Sequence, residues 1–230
     1  MFYIFKKCKS LQELNISNFN TSNINNMQEC FLECNNLESL NLSSFNTENV
    51  KTMKSMFCSC SKIKSLDLSN FNTSKVEDME KMFQNYSELT NINVSSFDTK
   101  NVYSFNSMFN GCNNLLSIDL SNFTIEKARD INQMIYNCKK LTIINLKNMT
   151  PINIIYLYQI FSNCISLYEL NLSKFKINKT FPIEGTRYNP IFQIFKNYSK
   201  LKRIIIDKEE EMKFKLILEK NEVYPEILFA

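Results

Sequence analysis

Histidine and tryptophan are absent from this sequence of 230 residues, and glycine occurs only at Gly111 and Gly185. Without histidine there is no imidazole base, no Ser–His or Cys–His nucleophile pair and no imidazole metal ligand. Two isolated glycines cannot build a glycine-rich phosphate cradle. No run of about 18 apolar residues exists, so no transmembrane helix is expected. Most enzyme chemistry is therefore excluded, and no catalytic, cofactor or metal site is expected. What the chain has in excess is asparagine, 33 residues, within an otherwise ordinary globular composition of 44% hydrophobic and 22% charged side chains.

Charge is unevenly spread. Residues 1–126 carry 10 basic and 13 acidic side chains, residues 127–206 carry 13 and 3, and residues 207–230 carry 4 and 7. The basic stretch includes Lys139, Lys140, Lys147, Lys174, Lys176, Lys179, Arg187, Lys196, Lys200, Lys202 and Arg203. It reads either as a solvated lysine-rich surface or as a patch for an acidic protein or an anionic glycan. Nucleic acid is not the expected partner, because a pI near 8.5 lies below that of dedicated nucleic-acid domains.

The dominant signal is a repeat. Leu11, Leu37, Ile63, Leu89, Leu115, Leu141 and Leu167 recur every 26 residues, and Leu201 follows after 34, a unit plus an insertion. Residues 1–206 read as one solenoid, with a partial first unit at 1–10, and residues 207–230 as its cap. Within each unit, LESLNLS at 37–43 alternates apolar and polar residues as a half-buried strand does, with Leu40 and Leu42 pointing inward. A buried aromatic column follows at Phe19, Phe45, Phe71, Phe97, Phe123, Met149 and Phe175. Thr21, Thr47, Thr73 and Thr99 sit where a helix N-cap is expected. Val50, Met53, Met56, Phe57 and Cys60 then share one face of a short helix. The methionines of these stripes are expected in the core. No unit buries its apolar face alone, so stacked units must share a core beside a parallel concave sheet, with short helices on the convex side.

The string LxxLxLSxFxTxxVxxMxxMFxxCxx resembles the leucine-rich repeats of BspA-like surface proteins, in the variant abundant in mycoplasma lipoproteins and some protists. The match runs over residues 1–206 and weakens at 123–160, where the threonine and part of the methionine pattern are lost. The resemblance implies a right-handed leucine-rich-repeat solenoid of α/β type. It also implies a recognition or adhesion role at a cell surface, without catalysis.

Six of the eight cysteines, Cys8, Cys34, Cys60, Cys112, Cys138 and Cys164, fall in one column that Tyr86 and Tyr198 also occupy. A position that accepts tyrosine selects buried volume, so free thiols are expected, with Cys30 and Cys58 as extra single thiols. On the exposed sheet face one column reads Asn15, Asn41, Asp67, Asn93, Asp119, Asn145, Asn171, and the next is mostly serine with Lys147 among them. These residues either hydrogen-bond along the stack as a structural ladder or form a concave face that binds a protein or a glycan. Asp67 and Asp119 lie two units apart, roughly 10 Å, and have no neighbouring acid with which to act as a glycosidase pair.

The loop at 177–190 contains Pro182, Gly185, Arg187 and Pro190 and is a candidate recognition insertion. Beyond Leu201, IIIDKEEEMKFKLILE reads as strand, acidic turn, strand, a hairpin-like cap. The N-terminal residues MFYIFKKCKSLQEL place the apolar patch before the lysines, the reverse of a signal peptide. The chain also starts in the middle of a unit. Two readings follow: either a segment precedes Met1, or the open first coil pairs with another copy. A preceding leader implies a surface or secreted protein, and its absence a cytoplasmic one. The leading expectation is a non-enzymatic binding module using the concave face, Lys147, Lys174, Arg187 and Arg203. The alternative is an assembly protein that self-associates through its first coil.

Overall fold

The computed structural model describes residues 1, 3–150, 153–154, 157–175, 194–195 and 200–230. It is a solenoid whose successive coils stack in register at the 26-residue period. One core runs through it, and the inward ladder of Ile16, Leu42, Leu68, Val94, Leu120, Leu146 and Leu172 is buried throughout. The aromatic column is buried from Phe45 to Phe175.

On the concave side, among the described residues, five short strands form an open parallel sheet in chain order: β1 (Ser117–Asp119), β2 (Ile143–Asn145), β3 (Glu169–Asn171), β4 (Arg203–Ile206) and β5 (Glu226–Phe229). The register aligns Ser117, Ile143, Glu169, Arg203 and Glu226 in one outward column. Ile118, Ile144, Leu170, Ile204 and Ile227 face the core beside it.

Among the described residues, the convex helices expected from the apolar spacing do not form. Each convex segment from residue 27 to residue 138 is a chain of β-turns whose amides alternate in direction. In the coil at 53–60, the N–H groups of Met56, Cys58 and Cys60 donate three residues back, to Met53, Ser55 and Phe57. Those of Met53, Ser55, Phe57 and Ser59 donate to the next coil, at Asp78, Glu80, Met82 and Gln84, over 2.7–3.0 Å. Left-handed backbone at Ser55 (φ 53°) and Ser59 (φ 61°) permits this, and the same pair of positions recurs at Lys81 and Asn85, and at Ser107 and Gly111. An α-helix would spend these amides within its own coil. The turn chain instead bonds neighbours together, and it places side chains four apart on the same inward face, which imitates helical spacing. Serine, threonine, asparagine and cysteine are weak helix formers that favour turns, so local preference and stacking agree.

Threonine does not cap a helix. Thr47 Oγ1 donates to the Asn72 carbonyl at 3.0 Å and accepts from the Asn72 N–H at 2.8 Å. Thr21 does the same with Asn46, and Thr99 with Thr124. The hydroxyl thus stands in for a peptide group and joins one coil to the next at a corner where the backbones do not pair.

The cysteine column also contributes more than volume. The eight cysteines are free, and the thiols of Cys34, Cys60, Cys112, Cys138 and Cys164 each donate to a carbonyl of the preceding coil, 29 residues earlier, at 2.9–3.2 Å. Burial pushes the Cys30 thiol up to about 12 and that of Cys34 to about 11. Cys34 therefore stays a protonated donor, and neither of these two thiols is a nucleophile. Beside them, the rings of Phe5, Phe31, Phe57, Phe83 and Phe109 stack with centroids 5.4–5.8 Å apart.

The cap differs from the expected hairpin. A 3-10 turn (Lys208–Glu210) and helix α1 (Glu211–Lys220) follow β4, and the chain returns so that β5 lies parallel to β4. Phe214, Leu216 and Leu218 alternate as in a strand, but the buried set is Phe214, Ile217 and Leu218, one helical face. Glu211 pairs with Lys208 at 2.6 Å and with Lys215 at 2.7 Å, the spacings of helical neighbours.

Candidate functional site

The concave face begins with its asparagines. The side-chain oxygens of Asn15, Asn41, Asp67, Asn93, Asp119, Asn145 and Asn171 each accept the backbone N–H two residues on, at 2.8–3.2 Å. The column is a row of Asx-turns that fold each coil out of its strand. These bonds lie within single coils, and between coils the Asn145 side chain also hydrogen-bonds Asp119. Hydrogen bonds from Ser69, chiefly its N–H, hold the exposed Asp67 carboxyl below its usual range. The Ser121 side chain does the same for Asp119, opposed by partial burial and helped by the Ser121 N–H and the Asn145 side chain. Two further Asx or Ser/Thr turn columns run through the earlier coils, at Asn20, Asn46, Asn72 and Asp98, and at Asn26, Thr52, Asp78, Ser104 and Asp130.

Among the basic residues expected on this face, Lys147 and Lys174 are exposed. Arg203 is engaged: its guanidinium lies 3.8 Å from Glu169 and 3.5 Å from Glu226, and 5.8 Å from the centre of the Tyr168 ring. The two carboxylates flank it in the outward column, so the late concave face is a mixed-charge surface. Arg187 and the rest of the 177–190 insertion lie outside the described residues, as do Lys176, Lys179 and Lys196.

The face changes character along its length. Over the early coils it is a trough of small polar groups, about 420 Å³, lined by Ser39, Asn41, Ser65, Asp67 and Ser69. Over the later coils Leu116 (46% exposed), Ile143 (49%) and Tyr168 (44%) stand outward beside the Glu169–Arg203–Glu226 row. None of these three apolar residues belongs to the repeat consensus. Their signal lies in two columns that are polar in early units (Gln12, Glu38, Lys64, Thr90 and Glu13, Ser39, Ser65, Asn91) and turn apolar at Leu116, Ile143 and Tyr168.

A second surface lies on the flank between sheet and convex turns. Here Lys51, Lys75, Glu77, Asn101, Tyr103, Glu126, Lys127, Arg129 and Asn153 line a groove of about 1020 Å³. Among the described residues, no cluster of three or more Cys, Asp or Glu side chains could hold a metal ion, and no helix is long and apolar enough to cross a membrane.

No curated protein matches the chain. Among solved structures, a leucine-rich repeat protein from Bacteroides ovatus is similar at 17% identity and a TM-score of 0.37, over 88% of this chain. The chain spans 57% of the length of that structure. A family model described as "Mycoplasma protein of unknown function, DUF285" matches residues 1–114, 60–175 and 85–200, windows that overlap as a repeat requires. With matches running from residue 1 to residue 200, the chain belongs to the DUF285 family.

Proposed function

We propose that the protein is a non-enzymatic interaction module that docks a protein partner on the late concave face. The observation that carries this reading is the grouping of exposed Leu116, Ile143 and Tyr168 beside the Glu169–Arg203–Glu226 row. Aromatic residues and arginine are enriched where binding energy concentrates in protein interfaces, and a rim of charge fixes orientation. The Arg203 guanidinium is already held between two carboxylates, so its position on the face is set before a partner arrives. Repeat solenoids use extended concave surfaces in this way, and adhesion is the setting that the BspA-like resemblance gives such a face.

The test changes Ile143 and Tyr168 together to glutamate. Both side chains are half-exposed, so the fold tolerates the change. Cross-linking capture and cell-surface adhesion should be lost by this variant and kept by a Lys139→Gln, Lys140→Gln control. Equal capture by both variants removes the proposal. Sedimentation across a concentration series separates it from self-association through the first coil, which predicts a concentration-dependent mass.

A further inference from the structure

The flank groove has an order that the concave face lacks. Its floor is a ladder in which the N–H groups of Lys51, Glu77, Tyr103 and Arg129 donate to the carbonyls of Asn25, Lys51, Glu77 and Tyr103 at 2.8–2.9 Å. Those backbone donors are spent on neighbouring coils, so only side chains can recognise a ligand there. One rim reads Asn49, Lys75, Asn101, Lys127, Asn153, an alternation of amide and cation from coil to coil. Lys75 Nζ donates to Asn49 Oδ1 at 2.8 Å, and Lys127 Nζ to Asn101 Oδ1 at 2.7 Å. The amides of Asn49, Asn101 and Asn153 are anchored in turn on the carbonyls of Ser22, Ser74 and Glu126. Each exposed lysine is therefore oriented along the rim by one side-chain bond, with donor hydrogens still available.

Along the floor Tyr103 presents a half-exposed ring between Glu77 and Arg129, its hydroxyl donating to the Asp78 carboxylate at 3.3 Å. Among the described residues neither Lys51 nor Arg129 has an ion pair. Four cations and two carboxylates thus line the groove, which crosses five coils, about 19 Å at ~4.8 Å per coil.

We propose that this groove binds an acidic polysaccharide carrying one negative group on alternate sugars. The geometry selects that chemistry against other polyanions. Lys75 and Lys127 stand two coils apart, about 10 Å, with a neutral amide between them, and a pyranose unit of an extended chain advances by about one coil rise of ~4.8 Å. An extended peptide places same-side side chains every ~6.6 Å, and the saturated ladder offers it no strand pairing. Polyphosphates and nucleic acids carry charge on every unit, and Glu77 and Glu126 repel them while accepting hydrogen bonds from sugar hydroxyls. The Tyr103 ring gives a sugar face a flat apolar platform. The proposal does not depend on the concave face.

The experiment measures binding of a hyaluronan oligosaccharide to the full chain by calorimetry at low and physiological salt. Saturable binding is expected, weakened by salt and reduced about tenfold or more by Lys75→Gln with Lys127→Gln, because two charge-assisted contacts are removed. Tyr103→Ala should also weaken it. The Lys139→Gln, Lys140→Gln control, which removes equal charge elsewhere, and the Ile143→Glu, Tyr168→Glu variant should bind as the wild type does. The proposal is overturned if hyaluronan does not bind or if the paired lysine change leaves affinity intact. It is equally overturned if polyglutamate or single-stranded DNA binds as tightly and loses as much from that change.

Discussion

At the residue scale, the excess of asparagine has a mechanical explanation. One side chain offers a carbonyl that accepts and an amide that donates, and this solenoid uses both ends. The acceptor closes Asx-turns at Asn15, Asn20 and Asn26 in the first full unit, while the donor reaches back to an earlier coil, as from Asn70 to the Leu42 and Phe45 carbonyls. Threonine serves a related purpose at the buried corner. Changing Thr47 to valine keeps the shape but strands the Asn72 N–H and C=O without partners, and should cost about 1–3 kcal/mol. Urea unfolding of that variant, with Thr47→Ser as the hydroxyl-retaining control, measures it. Aspartate in place of asparagine adds a pH dependence. Because the folded Asp67 and Asp119 carboxyls titrate below the unfolded value of about 3.9, their contribution is complete above that pH and is lost as pH falls through the folded values. Asp67→Asn with Asp119→Asn should leave the melting temperature near neutral pH almost unchanged, since asparagine makes the same turn at Asn41 and Asn93. The same pair should flatten the decline below about pH 4 in a melting-temperature series.

At the element scale, the convex segment is the part where sequence and structure diverge. Ser59 sits at φ 61°, and its N–H reaches Gln84 of the next coil at 2.7 Å. Valine there would force a β-branched side chain into left-handed backbone, and Ser59→Val should lose about 1–2 kcal/mol against a near-neutral Ser59→Asn, read by chemical denaturation. Residues that belonged in an α-helix would carry no such asymmetry. The inward faces were legible: Met53, Met56, Phe57 and Cys60 are buried as their spacing implies. The element type was not, because chained four-residue turns and a 3.6-residue helix place the same residues inward over so short a span. The deciding competitor was a carbonyl on the next coil, which a single unit read alone does not display. The cap failed for the converse reason, since Phe214 and Leu218 suit either period and Ile217 decides the matter only once burial is seen. On the binding face, Asn41 and Asp67 were found in the right place with a turn-forming role, and the apolar trio was overlooked because it breaks the repeat consensus instead of following it.

At the scale of the whole molecule, the hydrogen bonds and ring contacts among the described residues link a coil to itself or to an adjacent coil. Among the described residues, thiol, threonine, asparagine and backbone bonds span 23–29 residues or no more than five, apart from those that cross the 177–190 insertion. Such a chain behaves as a one-dimensional array in which damage spreads to neighbours and fades beyond them. The aromatic stack gives a place to test this. Phe57 lies between Phe31 at 5.7 Å and Phe83 at 5.8 Å, and is fully buried. Phe57→Ala removes one ring and opens a cavity between two others, a loss of about 3–5 kcal/mol locally. In a globular domain with one cooperative core, that loss would lower amide protection everywhere by the same amount. In this solenoid, hydrogen exchange should accelerate most for the coils that contain Phe31, Phe57 and Phe83. Amides of β2 and β3, three or more coils away, should keep most of their protection, because no contact connects them to the cavity except through intact coils. Uniform acceleration across Ile144, Leu170 and the early coils alike would show that the stack unfolds as one unit, and that the coil-to-coil bonds are too strong for the array to divide.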